Sequence, residues 1–209
     1  MTQSAIRIPA EKDFIRVGEV EIMKDFVRLQ DGSYAFADHY GATEIASQQG
    51  LRLPYVADMW SGYQYSRAIK KSIRQLASKT ESTEWSGEIL LSDFCLARPR
   101  KVAKVDGRKR YSDAEIIFLS SRIHEDYGYV SELNEFALPT KLTPRPYIMK
   151  KDFPYWWLSG LGVLTISYAG KLEDDPETFA AGAAINAHQQ QAFRFVRDPR
   201  PNAPNPIKI

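Results

Sequence analysis

The chain has 209 residues, of which 44% are hydrophobic, so it is long enough to bury one core of ordinary size. Its 28 basic and 26 acidic residues leave a net charge of +2, which argues against a dedicated nucleic-acid-binding protein. The single cysteine, Cys95, excludes an intrachain disulfide and favours a reducing compartment. No apolar run reaches the length of a membrane span, and the N-terminus lacks the apolar centre of a secretion signal.

The N-terminal part is predicted to contain an arm and a hairpin. Residues 1–20 alternate loosely between apolar and polar and contain a proline, which indicates an arm that ends in a first strand. The pair Asp31-Gly32 is a turn signature of hairpins. It predicts that residues 27–29 pair with residues 34–36.

A helix junction follows, with a glycine and a proline in the positions expected of one. Thr43 is placed to cap a helix that ends at Gly50. Pro54 then opens a second helical stretch that runs to about residue 78. Gly62 within this stretch predicts a break between a short helix and a longer one.

The middle of the chain is predicted to contain buried strands and a basic hairpin. Apolar runs around Cys95, which we expect to be a small core residue, and at 115–119 indicate short buried strands. Residues 98–110 hold seven basic residues and one acidic residue, and Asp106-Gly107 is a hairpin turn signature. A solvated basic hairpin is the favoured interpretation, while contact with nucleic acid or with an acidic protein surface stays open.

The last third is predicted to alternate between irregular segments and one strong strand. Residues 128–138 are typical of a loop, whereas 160–168 have the best strand pattern in the chain. Residues 170–191 lack periodicity and predict a long irregular loop, with a short helix at 176–181. The proline-rich residues 199–209 predict an extended tail.

Three stretches, in this order, carry a family resemblance. The first is Gly50-Leu51-Arg52-Leu53-Pro54, followed by Asp58 and Trp60; the second is Trp85-Ser86-Gly87-Glu88-Ile89-Leu90-Leu91-Ser92-Asp93; the third is Phe193-Arg194-Phe195-Val196-Arg197. They resemble elements of the sulfatase-modifying-factor family, whose founding member is formylglycine-generating enzyme. The middle stretch is a degraded match, and Ala192 stands where the family has glycine before the closing strand.

The resemblance spans about residues 40 to 198 and implies an α+β fold, a variant of the C-type lectin fold. The expected form is a single domain over residues 1–198, including an N-terminal arm of about residues 1–20. It would have two helices, a small mixed or antiparallel sheet and long irregular loops.

The chain departs from the catalytic members of that family. The copper-dependent activity of formylglycine-generating enzyme implies two cysteines late in the domain, and this chain has none after Cys95. An iron-binding branch implies a clustered histidine signature, whereas His39, His124 and His188 stand far apart in sequence. We therefore predict no catalytic residue, no cofactor and no metal site. A calcium site on the acidic pairs at 125–126 and 174–175 stays open.

Because no catalytic residue, cofactor or metal site is predicted, the function that we expect is recognition of another molecule. If the fold is of this type, the late strand is flanked by aromatic and amide side chains, which supply rigid contact area and adaptable hydrogen bonds. The predicted ligand-binding residues are Tyr155, Trp156, Tyr168, Asn186, His188 and Gln190.

The predicted function is that of a non-catalytic binding or structural module. Domains of this fold without catalytic residues occur among phage surface proteins and among variable proteins of diversity-generating retroelements. We expect a virion component of the capsid or tail that is assembled in the host cytoplasm, forms homo-oligomers, docks to a protein partner and binds a receptor or glycan. The alternatives are a metal-dependent oxidoreductase or hydrolase on the same fold, and nucleic-acid contact through residues 98–110.

Overall fold

The computed structural model describes residues 5–77, 83–123, 126, 128–143, 155–158, 161–169, 178–184 and 187–198. Within those residues the chain has an α+β fold with three α-helices and two sheets. The helices are α1 (His39–Gln48), α2 (Val56–Tyr65) and α3 (Arg67–Ala77). None of the three combines the length and the apolar character that a membrane crossing requires. The strands are β1 (Phe14–Val17), β2 (Val20–Met23), β3 (Phe36–Ala37), β4 (Thr83–Ser92), β5 (Cys95–Val105), β6 (Arg108–Phe118), β7 (Gly128–Leu133), β8 (Pro139–Thr143), β9 (Tyr155–Leu158), β10 (Gly162–Ala169), β11 (Thr178–Ala184), β12 (Gln191–Ala192) and β13 (Val196–Arg197).

Helix α1 ends where the sequence predicts but has a different cap at its start. The carboxylate of Asp38 accepts a hydrogen bond from the Gly41 N–H at 2.6 Å, so Asp38 is the N-cap. The prediction for Thr43 is wrong, because its hydroxyl donates to the His39 carbonyl inside the helix. At the other end Gly50 has a φ of +67°, a conformation that glycine adopts without strain.

The second helical stretch is interrupted at Ser66 and not at Gly62. Helix α2 continues through Gly62 to Tyr65, and Ser66 is extended before α3 begins. Gly62 serves packing, because a Cβ at that position would lie 2.8 Å from the Cδ1 of Ile69 in α3. The interruption produces three helices in the described residues where the resemblance implied two.

The N-terminal segment is part of the folded body. Strands β1 and β2 form a hairpin, and β13 pairs with β2 to complete a three-stranded sheet. Phe14 and Val17 of the predicted arm are buried. The hairpin predicted at Asp31-Gly32 is confirmed by a bridge between Arg28 and Tyr34. The tail predicted at 199–209 lies outside the described residues.

The three stretches that carry the family resemblance lie in contact. Arg52 and Val196 exchange two backbone hydrogen bonds, of 3.1 and 2.8 Å, which join the first stretch to the closing strand. The Gly87 N–H donates to the Pro54 carbonyl at 2.7 Å, and a Cβ at Gly87 would lie 3.0 Å from the Leu53 carbonyl oxygen. Segments far apart in sequence therefore form one structural unit.

The second sheet is large, with ten strands, and not the small sheet that was expected. Its main path runs in the order β3-β12-β4-β10-β11-β9-β7-β8, and β5 and β6 branch from β4. The strand predicted at 160–168 is confirmed as β10. The loop prediction for 128–138 is wrong at residues 128–133, which form β7. The prediction of an irregular loop with a short helix within 170–191 is wrong at residues 178–184, which form β11. Residues 179–182 are all buried, so β11 lacks the polar alternation by which a half-exposed strand is recognised.

Strands β5 and β6 form the predicted basic hairpin as a long ribbon. Asp106 and Gly107 both have positive φ, at 50° and 76°, as a tight hairpin turn requires. β5 pairs with β4 only through its first residues, so most of the ribbon extends beyond that pairing. The strand predicted at 115–119 is confirmed over residues 115–118, which end β6, but its predicted burial is wrong, because Ile116 is 50% and Phe118 is 82% exposed. Cys95 is half-buried and is not a full core residue.

Candidate functional site

Two ion pairs that include residues of the resemblance stretches hold parts of the fold together. Arg194 is fully buried, donates from Nε to Glu84 at 2.7 Å, and lies 4.1 Å from the ring centre of Phe26. Fully buried Glu88 accepts from Arg98 at 2.8 Å and from the Val56 N–H at 2.8 Å. Both clusters therefore join elements of the fold.

The Tyr55 ring is held between two arginines. The guanidinium groups of Arg52 and Arg98 each lie 3.8 Å from the Tyr55 ring centre. Arg52 also pairs with Asp58 at 2.6 Å and with Asp198 at 2.7 Å. Burial raises the pKa of Tyr55, against the lowering effect of the two arginines. The hydroxyl therefore stays protonated, and the cluster fixes the start of α2 against Asp198, which follows β13.

His39 is a buried hydrogen-bonding residue. Its Nε2 lies 2.8 Å from the Ser86 carbonyl oxygen and therefore donates, which leaves Nδ1 to accept from the Tyr111 hydroxyl. Burial lowers the pKa of His39 to about 4, and the opposing effects of the Ser86 carbonyl and the Asp38 carboxylate are smaller. Burial also raises the pKa of Tyr111, with further contributions from Tyr40 and Asp38. At neutral pH His39 is uncharged and Tyr111 is the donor.

The other side of Tyr111 faces an open cleft at the end of the ribbon. We call this the aromatic-basic cleft; it has a volume of about 700 Å³ and is lined by Asp38, Tyr40, Arg108, Lys109, Arg110, Tyr111 and His188. The Tyr40 and Tyr111 rings are stacked with centroids 4.5 Å apart and an interplanar angle of 23°. The His188 ring lies 5.5 Å from Tyr40 at 35°. Three aromatic rings thus lie in sequence beside a run of three cations.

The cations of the cleft outweigh its acids. Arg108 and Arg110 are exposed, and neither has an acidic partner among the residues that the structure describes. Lys109 lies 3.3 Å from Glu44 of α1. The Asp38 carboxylate is engaged by the Gly41 N–H of the helix start. The rim therefore presents two unpaired guanidinium groups to solvent, and an anion is the ligand that they favour.

The structure describes the side chains of three of the six predicted binding residues, Tyr155, His188 and Gln190. Tyr155 is wrong as a binding residue, because it is fully buried and its hydroxyl donates to the Ala137 carbonyl at 3.0 Å. For Trp156 and Tyr168 the structure describes the backbone, in β9 and β10, and not the side chains. Asn186 lies outside the described residues.

His188 and Gln190 are both exposed and lie at or next to the cleft. His188 lines it, whereas the Gln190 carboxamide can bridge the Phe36 carbonyl and the Asp38 N–H at 3.2 Å each. Gln190 therefore supports the entrance to α1, and His188 is the predicted binding residue that lines the cleft.

Sequence reasoning missed Tyr40 and Tyr111. Tyr111 directly follows Arg108-Lys109-Arg110, and an aromatic residue at the end of a basic run was an available signal. Tyr40 carried no such signal, since its ring reaches Tyr111 only through the packing of α1 against the ribbon.

Among the described residues, no group of three or more histidine, cysteine, aspartate or glutamate side chains is placed to hold a metal ion. His124 and the acidic pairs at 125–126 and 174–175, apart from Asp126, lie outside those residues. The expectation that the chain uses no metal stays a prediction.

Comparisons of this chain with protein-family models, with curated proteins and with solved structures found no match.

Proposed function

We propose that this chain is a non-catalytic binding module whose recognition surface is the aromatic-basic cleft. The observation that carries the proposal is that one cleft is lined both by exposed Arg108 and Arg110 and by the aromatic residues Tyr40, Tyr111 and His188. Aromatic rings and arginines are the side chains over-represented at protein recognition surfaces. The ligand or partner carries negative charge.

The state of the best-placed histidine supports a binding role over a catalytic one. His39 donates from Nε2 and accepts at Nδ1, and its lowered pKa makes it a weak base. A general base needs a free nitrogen within reach of a substrate proton and a pKa near the working pH. His39 has neither.

We propose a C-type lectin-like scaffold for the module. The contact between the stretches at 50–54, 85–93 and 193–197 supports it, as does the pairing of β13 with the N-terminal hairpin. The proposed assignment of the chain to this fold and family rests on the resemblance of the three stretches to the family's sequence elements.

The proposed setting is a larger assembly, and the resemblance favours a surface or accessory component of a virus particle that is assembled in the host cytoplasm. Exposed apolar side chains near the start of the ribbon support a protein partner, since such groups are typical of contact surfaces. They are Leu91, Phe94, Ile116 and Phe118. Capsid and tail genes beside the coding sequence are expected; a setting among genes of metabolism would contradict the virion proposal.

The cleft is tested by its retention of a polyanion. Heparin-affinity chromatography is performed with the wild type and with Arg108→Glu/Arg110→Glu, which reverses both unpaired charges. Lys101→Glu/Lys104→Glu is the matched control, because it makes the same charge change at exposed positions of the same ribbon outside the cleft.

We expect the cleft variant to elute at clearly lower salt than the control variant. Equal losses in the two variants would show that only the overall charge matters and would refute the cleft as the site. Thermal unfolding of each variant checks that the fold is intact.

The enzyme alternative is tested separately. A stoichiometric transition metal in the purified protein, measured by elemental analysis, would favour a metal-dependent oxidoreductase or hydrolase over the binding module.

A further inference from the structure

We propose that a second copy of this chain docks on the outer edge of β6, where residues 114–118 of the two copies pair antiparallel about a two-fold axis at Ile116. The inference rests on the larger assembly of the proposed function, and it names the partner within that assembly. The aromatic-basic cleft lies at the other end of β6 and takes no part in the pairing.

The outer edge of β6 is open over its second half. One edge of the strand pairs with β5, and the other pairs with no strand among the residues that the structure describes. Outward-pointing N–H and C=O groups of such an edge can pair with an added strand. Residues 114–118 pair regularly with β5, whereas the register shifts between residues 114 and 111. The regular part is therefore the part that can accept a straight partner strand.

The two halves of β6 differ in how well their charges protect the edge. Charged side chains on an edge strand disfavour strand addition, and the first half carries Arg108, Lys109 and Arg110. Residues 114–118 hold a single charged residue, Glu115, which is already paired with Arg100 at 2.8 Å. Strand addition is therefore favoured at 114–118 and disfavoured near the turn.

This second half also exposes large apolar side chains on one face. Because the pairing there is regular, Ile116 and Phe118 leave one face of the strand and Ile117 leaves the other, where it packs against the core. Ile116 and Phe118 both stay exposed in the single chain. Neighbouring exposed apolar groups are typical of contact surfaces.

Charge decides which residue lies opposite its own copy on the two-fold axis. An axis at Asp113 or at Glu115 would set two carboxylates against each other, and an axis at Ala114 would set Asp113 against Glu115. Like charges directly opposite each other destabilise an antiparallel pair. With the axis at Ile116, Glu115 lies opposite Ile117 and no like charges meet.

The same register brings the apolar side chains together. Ile116 lies opposite Ile116 of the second copy, and each Phe118 lies opposite the small side chain of Ala114. Phe118 and Ile116 of the other copy are then diagonal neighbours, which large side chains can span. An axis nearer the turn would set Phe118 against the basic half of β6. The exposed face is thus complementary to itself in one register.

The test measures the mass of the full chain by light scattering after size exclusion and by sedimentation, from low to high micromolar concentration. Ile116→Lys places two ammonium groups opposite each other on the axis. Ile8→Lys is the matched control, because Ile8 is also an exposed isoleucine and lies outside β6.

We expect the wild type to dimerise reversibly. Ile116→Lys should raise the dissociation constant of the dimer by about 10- to 100-fold, and Ile8→Lys should leave it unchanged. Thermal unfolding of each variant checks that the monomer is folded.

A second measurement tests the register. In a Cys95→Ser background, Ile116→Cys should form a disulfide between copies under mild oxidation, since directly opposite residues are about 4.5 to 5.5 Å apart between Cα atoms. Ala114→Cys should not, because the two copies of residue 114 are separated by about four residues along the strands, beyond the reach of a disulfide.

Four results would overturn the inference. A wild type that stays monomeric at all concentrations would show that the edge is unoccupied or is covered within one chain. Equal weakening by Ile116→Lys and Ile8→Lys, or by neither, would show that the copies meet elsewhere. Cross-linking through Ala114→Cys as efficient as through Ile116→Cys would refute the register. Heparin retention reports on the cleft alone, so a monomer that keeps it would sink the dimer and leave the recognition surface standing.

Discussion

The role of His39 is decided by its burial, which the sequence alone does not show. His39 is one of three histidines that stand far apart in the sequence. In the folded chain it joins α1, β4 and β6 through two hydrogen bonds and is held uncharged. A histidine that is buried in its neutral form lowers the stability of the fold at any pH at which the same histidine is protonated in the unfolded chain.

This state gives a pH dependence of stability with a definite sign. Burial lowers the pKa of His39 from 6.5 to about 4, so between these values the unfolded chain binds a proton that the folded chain does not. Stability is therefore full above about pH 6.5 and decreases as the pH falls towards 4, by about 3 kcal/mol in all. Urea unfolding at several pH values measures the effect.

The variant His39→Gln should unfold more easily at neutral pH and should lose much of the slope between pH 6.5 and 5, where few carboxylates titrate. His188→Gln is the control, because it removes a histidine from an exposed position. An unchanged slope in His39→Gln would show that another group causes the dependence.

At the scale of single elements, two glycines in the matched stretches act for different physical reasons. Gly50 ends α1 with a φ of +67° and has open space where a Cβ would stand. Gly87 lies in β4, and a Cβ there would be 3.0 Å from the Leu53 carbonyl oxygen. The first position needs backbone freedom, and the second needs the absence of a side chain.

These reasons predict different responses to substitution. Gly50→Ala should cost about 1 kcal/mol of unfolding free energy through backbone strain, and Gly50→Asn should cost less because asparagine tolerates this conformation. Gly87→Ala and Gly87→Asn should both destabilise, by about 1 to 3 kcal/mol for alanine and more for the larger asparagine. Chemical denaturation of the four variants measures this. An equal cost of alanine and asparagine at Gly50 would contradict the backbone explanation.

At the scale of the whole molecule, the closing segment is fixed to the centre of the large sheet by a buried ion pair. Arg194 and Glu84 are both completely buried, and Arg194 also donates to the Met23 carbonyl at 3.2 Å. These contacts tie the segment between β12 and β13 to β4 and β2. A buried pair of this kind is destabilising when only one partner is removed, because the other charge stays desolvated.

We expect Arg194→Met to lose about 3 to 5 kcal/mol of unfolding free energy, and Glu84→Gln to lose a similar amount. The double variant Glu84→Gln/Arg194→Met should be less destabilised than the two single losses added together. Denaturant unfolding of all three provides the cycle. Arg100→Ala breaks the exposed pair with Glu115 and should change stability little. Additive losses at Arg194 and Glu84 would rule out their coupling.

The sequence by itself determined the features that a few neighbouring residues encode. The turns at Asp31-Gly32 and Asp106-Gly107, the end of α1 at Gly50 and the strand β10 depend on local backbone preference and short-range pattern. The basic ribbon and its turn were predictable for the same reason. The α+β class was expected from the family resemblance, and the described residues have that class.

Only the tertiary structure decided which patterns were misleading and which side chains meet. β11 has no alternation because both of its faces are buried, and Tyr155 is a core residue because other strands and helices surround it. Tyr40 and Tyr111 come together only when α1 packs against the ribbon, so no local pattern marks the cleft. Burial and ring contacts are set by chain segments far apart in sequence, whereas turns and caps are set within a few residues.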